Sequence, residues 1–145
     1  MEPQPQPRPI RVVFVLLPGS LVLDWAGPAE ALRIANQRLR AMGRPERFAI
    51  EFASPRPTAM SSVGVALAGL SPLPAQWDGP GWIVLVGLPG EAIAIDTPEA
   101  QDLLHWLRGL RFERGRLELV TICAGMRGHA PPSPGRAARR GAALL

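Results

Sequence analysis

The sequence contains a single cysteine, Cys123, and no long apolar run among its 145 residues. One cysteine excludes a disulfide within the chain and argues against a zinc site built from cysteines. The longest early apolar run, residues 12–17, is far too short to cross a bilayer. The opening MEPQPQPRPIR carries prolines where a signal peptide carries its apolar core. These absences predict a cytoplasmic protein without membrane contact, in which residues 1–9 form a disordered leader.

Lysine is absent as well, so all sixteen basic residues are arginines. The formal net charge of +4 raises the question of nucleic-acid binding, and the answer depends on where the charges lie. Residues 1–125 contain twelve arginines and all twelve acidic residues, so this part is neutral. The remaining charge lies in the last twenty residues, in Arg127, Arg136, Arg139 and Arg140. This distribution argues against DNA binding by this chain alone.

Phosphate-binding glycine loops, metal-ligand clusters and the dinucleotide-binding fingerprint are also missing from the sequence. We therefore expect no cofactor and no metal ion. Neither histidine is a convincing catalytic base, since His105 lies within a predicted helix and His129 in an unusual C-terminal segment.

What the sequence does contain is an alternation of apolar strands and amphipathic helices. Strands are predicted at 10–17, 47–54, 82–87 and 116–122, with a weaker strand or hairpin at 62–70. One helix is predicted from Pro28, the first helical residue after a loop, to about Met42. A second helix is predicted over residues 97–114, with Thr97 as its cap. This order predicts an α/β fold, a three-layer sandwich around a mostly parallel sheet.

Ligand sites in such sheets form outside the carboxyl ends of the strands. Three predicted loops lie there: Pro18–Pro28, Gly87–Gly90 and Cys123–Gly125. In the second loop, backbone N–H groups around Gly87 and Leu88 are candidates for an oxyanion or ligand site, although a structural turn is the more frequent meaning of such a glycine pattern. Ala124, next to the cysteine, is a third candidate for this role.

Cys123 stands where an apolar strand ends and Ala-Gly follows. A sharp turn from strand to helix at this point would expose the thiol, and the start of a helix would lower its pKa. A buried cysteine that acts as a small apolar residue is the alternative. Asp24 lies in the apolar stretch LVLDWAGP, where a carboxylate is either functional or bonded to backbone N–H groups near the helix start.

Four stretches together resemble the ThiJ/PfpI superfamily, the class I glutamine amidotransferase-like domain. They are VVFVLLPGSLVLDWAGPAEALRIAN, FAIEFASPRPTAMSSVGVALAGL, IVLVGLPG and VTICAG, and they cover about residues 10–125. Within the superfamily the chain is most similar to the N-terminal domain of GlxA-type regulators of the AraC family. The order of the D-x-x-G-P loop, the SSVGV stretch and the C-x-G turn carries this resemblance.

The resemblance implies a flavodoxin-like sandwich that often forms homodimers, with Cys123 and Asp24 as nucleophile and acid. The regulators are thought to sense a small ligand and to bind DNA through a C-terminal pair of helix-turn-helix motifs. This chain would then be a fragment without the DNA-binding region, and not an enzyme. Isocyanide hydratases of the same superfamily imply the alternative, a hydratase or hydrolase in which Cys123 attacks a substrate carbon and Asp24 orders a water or a proton.

After Gly125 the chain departs from the family pattern. Residues 126–145 form an Arg-, Pro- and Ala-rich tail, and Pro131, Pro132 and Pro134 each break a helix at a cost of about 3 kcal/mol or more. We therefore expect the C-terminal part of the domain to be missing, as a frameshift just after Gly125 would cause.

Overall fold

The computed structural model describes residues 7–89 and 96–122, and residues 1–6, 90–95 and 123–145 lie outside this part. The described elements, in chain order, are β1 (Ile10–Val15), α1 (Val22–Ala41), β2 (Phe48–Ala53), β3 (Thr58–Met60), β4 (Ala66–Ala68), β5 (Gly81–Val86), α2 (Pro98–Arg108) and β6 (Leu117–Ile122).

The main sheet has four strands in the order β2-β1-β5-β6, and every pair of neighbours is parallel. Its central strands are the two continuous apolar runs of the sequence. Phe14 on β1, for example, lies opposite both Phe52 and Val84 in register. A parallel strand with helices above and below it is buried on both faces, which is why β1 and β5 are apolar throughout.

The two helices cover opposite faces of this sheet. Alternate residues of β1 point to opposite sides, so Val12 and Phe14 pack with Ala29 of α1. Val13 and Val15 pack on the other side with Leu103 of α2. The predicted three-layer, flavodoxin-like α/β sandwich is therefore confirmed.

The weak strand prediction at 62–70 corresponds to part of a small hairpin. β3 and β4 pair antiparallel and form a two-stranded sheet separate from the main one. Only Ala66–Ala68 of the predicted stretch is a strand, because residues 61–65 form the turn that joins it to β3.

The prediction that the first helix begins at Pro28 is wrong, because α1 begins at Val22 and contains Pro28. The chain turns immediately after β1, with Gly19 at a φ of 87°, a left-handed conformation that glycine adopts without strain. The turn leaves room for a further turn and a half of helix before the proline. Pro28 lacks the N–H that would bond to the Asp24 carbonyl, but the helix continues past it and has twenty residues in total. Pro28 also lines an apolar groove of about 400 Å³ on the α1 face of the sheet.

The second helix begins as predicted and ends early. The Thr97 side chain accepts a hydrogen bond from the Ala100 N–H at 3.2 Å, as a cap residue does. The helix ends at Arg108, with Gly109 as its C-terminal cap, rather than at residue 114. Neither α1 nor α2 is long and apolar enough to cross a membrane.

Candidate functional site

The loop after β1 and the loop after β5 meet at the carboxyl edge of the sheet. The Leu21 N–H donates to the Gly87 carbonyl at 3.0 Å. A Cβ atom on Gly19 would come within 3.9 Å of the Leu88 and Pro89 side chains, so the two loops are in contact. The structure thus brings together two of the three loops that the sequence analysis selected.

A buried serine holds the first of these loops in place. Ser20 is fully buried, and its Oγ donates to the Leu17 carbonyl at 2.7 Å and accepts from the Leu17 N–H at 2.9 Å. Sequence reasoning missed Ser20, although serine after a Pro-Gly pair is typical of such turns. The fixed turn sets the direction in which α1 leaves the sheet.

The β3–β4 hairpin forms a third side of this region. The Gly19 N–H donates to the Met60 carbonyl at 2.7 Å, and the Ser62 N–H donates to the Ser20 carbonyl at 3.1 Å. The SSVGV stretch therefore lies against the β1–α1 loop, a contact that no local sequence pattern predicts.

Asp24 lies in the first turn of α1 and not in a loop as expected. Its own N–H donates to the Leu21 carbonyl at 3.2 Å, but its side chain caps nothing, and the helix start at Leu21 has no side-chain cap. The Oδ2 atom is buried and has no hydrogen-bond partner within the described residues. The interpretation of Asp24 as a backbone-bonded structural carboxylate is therefore not supported by any contact in this part of the chain.

β6 reaches the same edge of the sheet beside β5. Val86 and Ile122 are partners in the parallel register, so the chain reaches the edge next to the loop that starts at Gly87. Cys123 and Ala124 follow directly in the sequence and lie outside the described residues, as does Gly90. The predicted pairing of Cys123 with Asp24 consequently stays a prediction.

An unpartnered carboxylate oxygen at a helix start is suited to accept a hydrogen bond from a ligand. Burial without a partner costs free energy, and a ligand donor group would recover it. Metal binding has no such support here, because within residues 7–89 and 96–122 no three His, Cys, Asp or Glu side chains are grouped as metal ligands would be.

Two solved structures share this fold. One is the crystal structure of an AraC family transcriptional regulator from Pseudomonas putida, with a TM-score of 0.50 and 20% identity over 77% of this chain and 81% of that chain. The other is a putative transcriptional regulator protein from Vibrio parahaemolyticus, with a TM-score of 0.54 and 15% identity over 77% of this chain and 56% of that chain.

No protein-family model matches the sequence, and no curated protein matches it either. At 15% and 20% identity the two structural likenesses establish the fold of this chain and nothing more specific. What the site does has to be argued from its own residues.

Proposed function

We propose that this chain is a ligand-sensing ThiJ/PfpI-like domain of a GlxA-type transcriptional regulator in the AraC family. The observation that carries the proposal is the buried Oδ2 of Asp24 at the carboxyl edge of the sheet, which has no hydrogen-bond partner among residues 7–89 and 96–122. The loops that meet there lie beside β1 and β5, where the strand order of the sheet reverses and doubly wound folds bind their ligands. The two structures of similar fold, both of proteins named as transcriptional regulators, support the regulatory context.

In this proposal the ligand is small and carries a hydrogen-bond donor, such as an ammonium or amide N–H, for Asp24. Backbone N–H groups near Gly87, Leu88 and Ala124 would receive an acceptor group of the same ligand, with Cys123 beside them. The domain would act as a homodimer. Sequence-specific DNA binding would belong to a separate helix-turn-helix region of the regulator.

Small donor probes test the role of Asp24. Methylammonium and acetamide, titrated against the ¹⁵N-labelled chain, are expected to shift the amide signals of Gly19, Gly87 and Leu88 in a saturable way. Asp24→Asn should abolish the methylammonium response, because it removes the charged acceptor. The matched control is Asp102→Asn on α2, a carboxylate already paired with Arg56 at 2.9 Å, which should leave the response intact.

Equal loss of the response in both variants would mean a general charge effect and would contradict the proposal. A structural role for Asp24 would also contradict the proposal, and the free energy of unfolding of the Asp24→Asn variant tests for such a role. Because the Asp24 side chain makes no hydrogen bond in the described part, Asp24→Asn is expected to change the free energy of unfolding by less than about 0.5 kcal/mol, whereas loss of a true helix cap costs about 1 kcal/mol.

The second candidate function is a cysteine-dependent hydratase or hydrolase, favoured by the same Asp24 Oδ2, which has no partner in the described part of the chain. Here the Cys123 thiolate attacks a substrate carbon, such as that of an isocyanide, and Asp24 orders a water or shares the thiol proton. This function predicts that Cys123 reacts with iodoacetamide at neutral pH faster than free cysteine, and more slowly after Asp24→Ala. A rate no higher than that of free cysteine would exclude the thiolate chemistry.

A further inference from the structure

The two edges of the main sheet carry opposite charge. Among residues 7–89 and 96–122, the carboxyl edge, with the starts of both helices, has one arginine, Arg56, against the acidic residues Asp24, Asp96, Glu99 and Asp102. The amino edge consists of the strand starts, the helix ends and the loops between them. In the described part of the chain it has four acidic residues, Glu46, Asp78, Glu113 and Glu118, the last of which accepts from the Gly115 N–H at 2.8 Å. Against them stand nine arginines: Arg8, Arg38, Arg40, Arg44, Arg47, Arg108, Arg111, Arg114 and Arg116.

Most of the amino-edge arginines are not neutralised. Arg40 pairs with Glu46 at 2.6 Å, and Arg116 approaches Glu113 at 3.5 Å. The other seven have no acidic partner within residues 7–89 and 96–122. Favourable interaction with a helix C-terminus accounts for those in a last helical turn, such as Arg38 and Arg108. It does not account for the arginines of the following loops.

Five of the amino-edge arginines line two adjoining clefts, and each cleft also contains the acidic partner of one arginine, Glu46 in the first and Glu113 in the second. The first, of about 340 Å³, is lined by Arg8, Arg44 and Arg47 and extends to Pro80 and Gly115. The second, of about 350 Å³, is lined by Arg111 and Arg116 and extends to Gly79, next to the first cleft. Together they cross all four strand starts, a distance of about 15 Å at the usual strand spacing.

We propose that this basic amino edge, defined by the nine arginines above, docks on the phosphate backbone of double-stranded DNA. Guanidinium groups match phosphate oxygens in a two-pronged geometry, and free arginines without acidic partners are available for such contacts. A single small phosphorylated ligand would occupy one cleft, whereas the row of charge across the sheet fits a polyanion. Protein interfaces are depleted of charge at their centre, so an acidic protein fits this surface less well.

The contact would add affinity without sequence specificity, because phosphate contacts carry no base information. It goes beyond the proposed sensing function and does not depend on it, since the Asp24 site is at the opposite edge of the sheet. The separation of charge between the two edges explains how residues 1–125, whose charges sum to zero, can still present a strongly basic surface.

Fluorescence anisotropy with a labelled 20-base-pair duplex tests the proposal on the full chain. The double variant Arg44→Ala/Arg47→Ala should weaken binding roughly tenfold or more and reduce the slope of log K against log salt by about 2, since each phosphate contact contributes about 0.9. The matched control is Arg33→Ala/Arg56→Ala, which removes the same charge away from the amino edge. It should leave both quantities as in the unmodified chain.

Equal weakening in the two double variants would assign the binding to total charge, and no loss in either would assign it to the four arginines after Gly125. Either result overturns the proposal, as does the absence of duplex binding at 50 mM salt. Displacement of the duplex by polyglutamate at equal charge concentration would instead identify an acidic protein as the partner and reject DNA. Asp24→Asn should bind the duplex like the unmodified chain, which separates this test from that of the sensing function.

Discussion

Gly81 is the residue with the least room for a side chain among the described glycines. A Cβ atom there would lie 2.6 Å from two carbon atoms of the Trp77 ring and 3.3 Å from the Arg11 carbonyl oxygen. The Trp77 ring has a second contact, because the Arg11 guanidinium lies over it at 5.0 Å from the ring centroid. Hydrogen bonds to Glu51, at 2.8 and 2.9 Å, orient that guanidinium and raise the pKa of Arg11.

Gly81→Ala is therefore expected to destabilise the fold by about 1–3 kcal/mol, the usual cost of overpacking a filled site. Urea unfolding followed by tryptophan fluorescence measures the change. The control is Gly27→Ala on α1, where a Cβ meets nothing within 4 Å. Because glycine is unfavourable inside a helix, the control should stabilise the chain by about 0.5–1 kcal/mol. Equal effects of the two substitutions would contradict the packing argument.

At this same scale the sequence predicted the positions of three candidate site residues better than it predicted their surroundings. Asp24, Gly87 and Leu88 do lie at the carboxyl edge of the sheet, as the spacing of strands and loops indicates. The sequence did not show that the Oδ2 of Asp24 has no hydrogen-bond partner among the described residues, because possible partners lie far away in the chain. Ser20 was missed for the same reason, since its importance comes from complete burial.

At the scale of elements, one side chain joins α1 to the start of β2. Asn36 is buried, and its amide Nδ2 donates to the Phe48 carbonyl at 2.7 Å. Its Oδ1 accepts from the Arg47 and Phe48 N–H groups at 3.0 and 3.1 Å. These bonds satisfy backbone groups at the start of β2, an edge strand, where unpaired N–H and carbonyl groups could otherwise form hydrogen bonds with a strand of another chain.

Asn36→Ala is expected to cost about 2–3 kcal/mol, because the partners lose three hydrogen bonds and stay partly buried. Thermal unfolding by circular dichroism measures the loss. Gln37→Ala, at the exposed neighbouring position, should change the stability by less than about 0.5 kcal/mol. A loss of similar size in both variants would show that helix propensity, and not the link to β2, determines the effect.

The helix boundaries show which element signals can be trusted in this sequence. Thr97 begins α2 as predicted, because a cap is a local interaction between residues three apart. Pro28 does not begin α1, since the turn at Gly19 and Ser20 starts the helix earlier, and that turn is held by contacts with the loop after β5 and with the β3–β4 hairpin. Long-range contacts of this kind override a local proline signal.

At the scale of the whole molecule, stability is expected to be greatest in the middle of the main sheet. Val12, Val13 and Ile83, on the central strands, are fully buried. Edge strand β6 is more open, with Leu119 44% and Val120 36% exposed. Local opening requires fewer contacts to break at such an edge, so its free energy is lower.

Native-state hydrogen exchange is therefore expected to show the slowest amides on β1 and β5 and faster exchange along β6. The free energy of exchange for amides of the central strands should equal the free energy of global unfolding. Gly81→Ala should lower these two free energies by the same amount. Protection of β6 equal to that of β1 would be inconsistent with this order and would place β6 inside the sheet.

The sequence by itself determined the class of fold, the order of strands and helices, and the carboxyl-edge position of Asp24, Gly87 and Leu88. Apolar periodicity, glycine turns and helix caps are local, so they are visible in one dimension. Only the tertiary structure decided that the hairpin lies against the β1–α1 loop and that a neutral set of charges separates into a basic and an acidic edge. It also decided that the Oδ2 of Asp24 has no partner in the part of the chain that the structure describes. These features depend on residues that are distant in sequence and adjacent in space, and parallel strands collect them because every strand start lies at one edge and every strand end at the other.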